Sequence, residues 1–128
     1  MTRYYLDTSA AAKLLVAETE SELLATWADD PAVELSSTNL LETELRRFAH
    51  RHELPQSAVT QILERVSLFD LPPSAYHEAG ILPGRSLRSL DALHLVGAVR
   101  LSVRGIVTYD VRLAEAATTL GIAVLSPA

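Results

Sequence analysis

The chain has 128 residues, the size of one domain, and its 48% hydrophobic and 21% charged residues favour a folded core over disorder. It has no cysteine, which excludes disulfides, thiolate nucleophiles, iron–sulfur clusters and cysteine-ligated zinc. The net charge of −5 argues against a general attraction to phosphate, although the arginines are clustered along the chain.

Strands and helices are predicted in alternation. In the first half, apolar β-forming runs and helical spacing predict a strand over 3–6, helices over 9–17 and 20–28, a strand over 33–36, and helices over 40–52 and 56–66. In the second half they predict a weaker strand over 68–71, helices over 75–82 and 90–103, a strand over 105–109, a helix over 111–120 and a strand over 122–125. Gly105 and Gly121 each follow a predicted helix, where a left-handed cap is common. The alternation predicts an α/β fold with a parallel sheet covered on both faces, and the lack of repeats or linkers predicts a single domain over 1–128.

Acidic side chains follow several of the predicted strands. Asp7 and Asp110 each end a strand and precede a helix. Glu42 and Glu44 lie in the first turns of the helix after the second strand, and Asp91 opens a later helix. Because ligands bind outside the carboxyl ends of parallel strands, we expect these acids to meet at one edge of the sheet. Clustered carboxylates repel one another, and an all-oxygen set suits magnesium or manganese.

Each acid also has a purely structural interpretation. Asp7 and Asp110 are in N-cap positions, and Asp91 is in a first turn, where the helix dipole favours negative charge. Glu42 and Glu44 point about 200° apart on a helix, so only one of them can face the site. Capping of single helices does not explain why two acids stand at strand ends, which favours a joint site.

Four segments of the chain resemble known motifs, in order. They are YLDTSA (5–10), TELRR (43–47), LRSLDALHL (87–95) and TYDVRL (108–113). Together they resemble the acidic motifs of PIN-domain ribonucleases, and specifically of the VapC-type toxins of bacterial toxin–antitoxin pairs. The resemblance runs along the whole chain.

This resemblance implies a three-layer α/β/α sandwich with four or five parallel strands and the activity of a metal-dependent endoribonuclease. The four acids that it assigns as magnesium or manganese ligands are Asp7, Glu44, Asp91 and Asp110. It selects Glu44 over its rival Glu42 because the family's acid precedes an apolar residue and arginines. It also implies that the hydroxyls of Ser9 and Thr108 hold a water molecule or the scissile phosphate.

RNA hydrolysis requires an in-line nucleophile and charge relief on the phosphate, and metal-activated water satisfies both needs. The candidates for contacts to backbone phosphates are four clustered arginines, Arg46, Arg47, Arg85 and Arg88. His94 lies three residues after Asp91 on an apolar helix, a position more typical of a packed core histidine than of an acid–base group.

Partners and location follow from the same resemblance and from the apolar runs. The resemblance implies RNA as the substrate, an antitoxin that fills the acidic cleft, and a homodimer within a larger complex. The N-terminal segment has no apolar signal region, and no apolar run approaches the roughly 20 residues that span a bilayer. These features predict a cytoplasmic protein without membrane contact.

Two other functions are compatible with the fold class. A phosphoacceptor receiver domain gathers acids at the same edge of its sheet, but such domains carry paired acids after the first strand and a lysine after the fifth. Here Asp7 stands alone and the only lysine is Lys13. The other alternative is a PIN-like binding module that has lost catalysis, and the presence of all four acids disfavours it.

Overall fold

Every strand of the fold except the last is followed by one or two helices. The computed structural model describes residues 1–128. The strands are β1 (Thr2–Leu6), β2 (Val33–Thr38), β3 (Ser67–Phe69), β4 (Gly105–Val107) and β5 (Val124–Leu125). The helices are α1 (Thr8–Leu15), α2 (Ser21–Ala28), α3 (Leu40–Arg51), α4 (Gln56–Leu63), α5 (Pro73–Gly80), α6 (Ser89–Arg100) and α7 (Val111–Thr119). None of the helices has the length and apolar character needed to cross a membrane.

All five strands run parallel in a sheet of order β3-β2-β1-β4-β5. Tyr5 of β1 is paired with Ser36 of β2 on one side and with Ile106 of β4 on the other. The chain builds outward from β1 to β3 and then returns to add β4 and β5 on the opposite side. The strand order therefore reverses between β1 and β4, which is where open parallel sheets form a ligand-binding crevice.

Side chains of the central strands alternate between two cores. Leu6 and Val107 belong to a large apolar cluster that includes residues of α1, α2, α3 and α4. Tyr5 and Ile106 belong to a second cluster with residues of α6 and α7. The sheet thus has helices on both faces, which confirms the predicted α/β/α sandwich and sets the strand number at five.

The predicted left-handed cap at Gly105 is wrong, whereas that at Gly121 is confirmed. Gly121 has a φ of 79°, but after α6 the left-handed residue is Ser102, with a φ of 52°. Gly105 instead begins β4, where a Cβ atom would lie 2.6 Å from Cδ1 of Leu125 and 3.0 Å from the carbonyl oxygen of Ala123. A close approach of strands explains this glycine.

Strand β4 ends two residues before the predicted boundary, at Val107. The reason is that side chains satisfy the next backbone groups. The amide of Tyr109 donates to Oγ of Ser9 at 2.9 Å, and the amide of Asp110 donates to Oγ1 of Thr108 at 3.0 Å. These bonds end the ladder and turn the chain toward α7 beside the first turn of α1.

Candidate active site

Asp7 is the most buried of the predicted site acids, at 3% exposure. It follows β1 and caps α1, with Oδ1 accepting from the amide of Ala10 at 2.9 Å. Ser9 Oγ donates to the same carboxylate at 2.8 Å, and Thr108 Oγ1 donates to Oδ2 at 2.5 Å. Burial raises the pKa of Asp7, and the hydrogen bonds from Thr108, Ala10 and Ser9 oppose that rise without cancelling it. The site therefore fixes this carboxyl firmly but leaves its charge poorly compensated.

The two predicted hydroxyls connect the ends of β1 and β4. Thr108 is fully buried, and its hydroxyl donates to Asp7 while accepting from the amide of Asp110. The hydroxyl oxygens of Ser9 and Thr108 lie 3.2 Å apart. The structure thus places Thr108 behind Asp7, where it holds two acid-bearing turns together.

Three of the predicted acids, Glu44, Asp91 and Asp110, line one open cleft of about 580 Å³. Asp91 lies in the first turn of α6, and its pKa is raised by burial and then by the nearby charge of Asp110. Asp110 caps α7, with Oδ1 accepting from the amides of Arg112 and Leu113 at 2.9 and 3.2 Å. Capping and site formation are therefore compatible, because one oxygen of Asp110 caps the helix and the other has no protein donor.

Glu42 and Glu44 lie on different faces of helix α3. Glu42 is exposed and pairs with Nε of Arg46 at 3.1 Å. Glu44 lines the cleft, where its Oε1 accepts from Thr8 Oγ1 at 3.0 Å and from His94 Nε2 at 2.5 Å. Burial opposes ionisation of Glu44, but its interaction with His94 and the hydrogen bond from Thr8 together outweigh burial, so the pKa of Glu44 is lowered.

His94 is a core residue, as its position on α6 predicted, with 2% exposure. Its ring also contacts an acid of the cleft, a contact that was not predicted from the sequence. Asp91 lies on the same helix three residues earlier, which places both side chains on one face. That spacing was the available signal, but only the tertiary structure, which brings the side chains of α6 and α3 together at one edge of the sheet, identifies Glu44 as the partner of His94.

The four predicted arginines lie in three different settings. Arg88 lines the cleft, and Arg47 and Arg85 are exposed outside it. Arg46 instead connects α3 to α4, because its guanidinium donates to Glu42, to Oε1 of Gln56 and to Oγ1 of Thr60. Arg112 also lines the cleft, although it was not predicted from the sequence as a phosphate contact. Its only sequence signal is its place two residues after Asp110.

The donor chemistry of the cleft fits a hard divalent cation. Protein donors reach one oxygen each of Glu44 and Asp110 and neither oxygen of Asp91, so four carboxylate oxygens in the cleft lack a protein donor. Oxygen-only ligands of this kind suit magnesium or manganese. No three acidic or histidine side chains are already grouped tightly enough to ligate one ion, so binding would draw these carboxylates together.

The chain is similar to proteins of one family along most of its length. A family model described as PIN domain matches residues 4–118. The chain is 40% identical over 130 aligned residues to a Mycobacterium tuberculosis protein named Ribonuclease VapC35, covering 96% of each chain.

Solved structures share the fold at low sequence identity. The crystal structure of Mycobacterium tuberculosis VapC20, described as a Sarcin-Ricin loop cleaving toxin, superposes with a TM-score of 0.76 at 16% identity, covering 97% of this chain and 99% of that one. VapBC2 from Rickettsia felis, bound to a DNA fragment from its promoter, superposes with a TM-score of 0.70 at 15% identity, covering 99% and 100%.

Proposed function

Since this chain belongs to the PIN-domain family, we propose that it is a divalent-metal-dependent endoribonuclease and the toxin of a toxin–antitoxin pair. The proposal is supported by 40% identity to a protein named a ribonuclease, over 96% of both chains. The observation that carries it is the cleft lined by Glu44, Asp91 and Asp110 at the point where the strand order reverses. The buried carboxyl of Asp7 is joined to this cleft through Thr108, which bonds both Asp7 and the amide of Asp110. We also infer that residues 1–128 act as a single domain.

The residues that would hold magnesium or manganese are Asp7, Glu44, Asp91 and Asp110. When bound, the cation supplies charge relief on the scissile phosphate and lowers the pKa of the attacking water. Burial and then the charge of Asp110 raise the pKa of Asp91, and a cation bound beside Asp91 would oppose that rise. Ser9 and Thr108 orient Asp7 through three hydrogen bonds.

Arginines at the rim of the cleft would bind the RNA backbone. Arg88 and Arg112 line the cleft beside the acids, so their guanidinium groups are close enough to attract phosphate that the carboxylates alone would repel. Arg47 and Arg85 are exposed and would contact the strand further from the cut. Such contacts position RNA without reading its sequence.

An antitoxin would compete for the same cleft. An arginine from that partner would pair with carboxylates that have no donor in the free chain, and its fork suits two oxygens at once. We infer a homodimer from the family resemblance, and the exposed apolar side chains of Tyr76, Ile81 and Val99 on and beside α5 and α6 offer a surface for it.

The decisive experiment measures cleavage of a labelled RNA by purified protein in magnesium, in EDTA, and in magnesium with Asp91→Asn. We expect cleavage only in the first condition, because the second removes the cation and the third removes a carboxylate charge from the cleft. Equal cleavage in all three conditions would contradict the proposal. A stable aspartyl phosphate after incubation with a small phosphodonor would favour the receiver domain instead.

A further inference from the structure

A buried line of hydrogen bonds runs through the sheet to the cleft. Thr38 Oγ1 on β2 lies 3.1 Å from the hydroxyl oxygen of Tyr5 on β1. That hydroxyl lies 2.6 Å from Nδ1 of His94 on α6, and Nε2 of His94 lies 2.5 Å from Oε1 of Glu44 on α3. Tyr5, Thr38 and His94 are each at most 2% exposed, so water does not complete their bonding. Four elements of the fold meet in this line.

We propose that His94, held by Tyr5, is a positioning residue for Glu44. The proposal rests on the proposed function, since it concerns the same acid. His94 and Thr8 both donate to Oε1 of Glu44, and no protein group donates to Oε2. The side chain is therefore fixed through one oxygen while the other stays available to a cation or a water.

The acceptors and donors define a direction along the line. An ionised Glu44 carboxylate can only accept, so Nε2 of His94 carries a hydrogen. In the neutral ring Nδ1 then accepts, and the donor must be the Tyr5 hydroxyl. Burial raises the pKa of Tyr5 to about 12, with Thr38 as the main opposing hydrogen bond, so this hydroxyl keeps its proton. Thr38 donates to Tyr5 in turn.

Gly97 allows α6 to lie close enough for these contacts. It is one turn after His94, and a Cβ atom there would lie 2.7 Å from Cγ2 of Thr38 and 3.3 Å from Cε2 of Tyr5. A side chain at this position would push α6 away from the residues that hold His94. The close approach at Gly97 and the hydrogen bonds of His94 are separate observations, and both indicate that the His94 ring is held in one position.

Two substitutions of His94 separate positioning from packing. His94→Gln places an amide nitrogen near the Nε2 position and can still donate to Glu44, whereas the shorter Asn of His94→Asn cannot reach it. We expect His94→Asn to weaken Mn²⁺ binding by roughly tenfold, as loss of a ligand's supporting partner commonly does, and His94→Gln to stay within about threefold of the unmodified protein. Isothermal titration calorimetry measures the dissociation constant, and circular dichroism checks folding.

Tyr5→Phe tests the next bond without opening a cavity. Loss of one hydrogen bond predicts about fivefold weaker Mn²⁺ binding. It also predicts that ¹⁵N NMR, which for the unmodified protein reports a His94 ring protonated on Nε2, now reports a mixture of tautomers. Tyr4→Phe is the matched control, because Tyr4 lies on the same strand and packs edge-on against Trp27. It should change neither measurement.

Three results would overturn the proposal. The first is a folded His94→Asn variant that binds Mn²⁺ as tightly as the unmodified protein. The second is equal weakening of Mn²⁺ binding by His94→Gln and His94→Asn, because that would indicate that His94 acts through packing alone. The third is a His94 ring that in the unmodified protein is protonated only on Nδ1. Failure of the proposed function is a separate result, since there the unmodified protein itself would neither bind Mn²⁺ nor cleave RNA.

Discussion

The two faces of helix α3 show how neighbours assign a role to a side chain. Glu42 and Glu44 are two residues apart and chemically identical, yet one pairs with Arg46 on an exposed surface and the other is held by His94 in a cleft. An exposed pair one helical turn apart contributes little to stability, whereas a half-buried carboxylate among other acids gains from a cation. The difference lies in what each face of the helix packs against.

The largest expected effect separates these two glutamates directly. Glu44→Gln should reduce RNA cleavage on the order of 100-fold, as removal of one preorganised group commonly does, because the change removes a charge from the cleft. Glu42→Gln is the matched control and should leave cleavage within about twofold, since it removes only a surface pair. Initial rates of RNA cleavage at saturating magnesium measure both effects. A greater loss of cleavage in Glu42→Gln than in Glu44→Gln would contradict the assignment of Glu44 to the site.

A second test compares two threonines, Thr108, which is buried beside the site, and Thr60, which is exposed on α4. Thr108→Val removes a buried hydroxyl bonded to Asp7 and to the amide of Asp110. We expect it to lower the free energy of unfolding by about 2 kcal/mol, because it leaves buried polar groups without a partner. Thr60→Val, on the exposed α4 side beside Arg46, should cost less than about 0.5 kcal/mol. Urea denaturation measures the free energy of unfolding of both variants. An equal decrease in the two would show that the hydroxyl of Thr108 is no more important for stability than that of Thr60.

A third test uses the opposite pKa shifts of Asp7 and Glu44. Burial raises the folded-state pKa of Asp7 above 3.8, so its contribution is favourable below that pH and is lost as pH rises through the raised value. The pKa of Glu44 is lowered, so its contribution is present at neutral pH and is lost on acidification. In EDTA at neutral pH, Asp7→Asn should therefore raise the melting temperature by at least about 2 °C.

Metal provides the control for this stability measurement. Added Mn²⁺ should raise the melting temperature of the unmodified protein but not that of Asp7→Asn, because a ligand stabilises only the state that binds it. A lower melting temperature for metal-free Asp7→Asn would show that the hydrogen bonds from Thr108 and Ser9 outweigh the burial of charge.

The smallest effect concerns the arginines. Arg112→Gln should raise KM for RNA by about threefold with little change in kcat, since a phosphate contact contributes to binding and not to the chemical step. Arg46→Gln should change neither constant and should shift the free energy of unfolding by less than about 0.5 kcal/mol. Equal effects of the two changes on KM would place RNA on the α3–α4 surface as well.

Much of the fold was predictable from local pattern. Apolar β-forming runs located all five strands, and helical spacing located all seven helices, because both signals are contained within short segments. The positions of Asp7 and Asp110 after their strands predicted that both would reach the same edge of the sheet. Gly105 was misassigned because its reason is a neighbouring strand, which no local signal reveals.

The remainder depended on contacts between distant segments. The pairing of His94 with Glu44 joins residues 50 apart in the chain, and the bond from Thr108 to Asp7 joins residues 101 apart. Arg46 and Arg88 also look alike as clustered arginines, and only their neighbours separate a helix-to-helix tie from a residue of the cleft.

The amino-acid sequence by itself determined the alternation of strands and helices, the family and the candidate acids for a cation site, because periodicity and motif are properties of neighbouring residues. The tertiary structure alone decided which arginine faces the cleft and what holds each carboxylate in place. Those choices depend on distance and burial between segments that meet only when the sheet and its two helical layers are assembled.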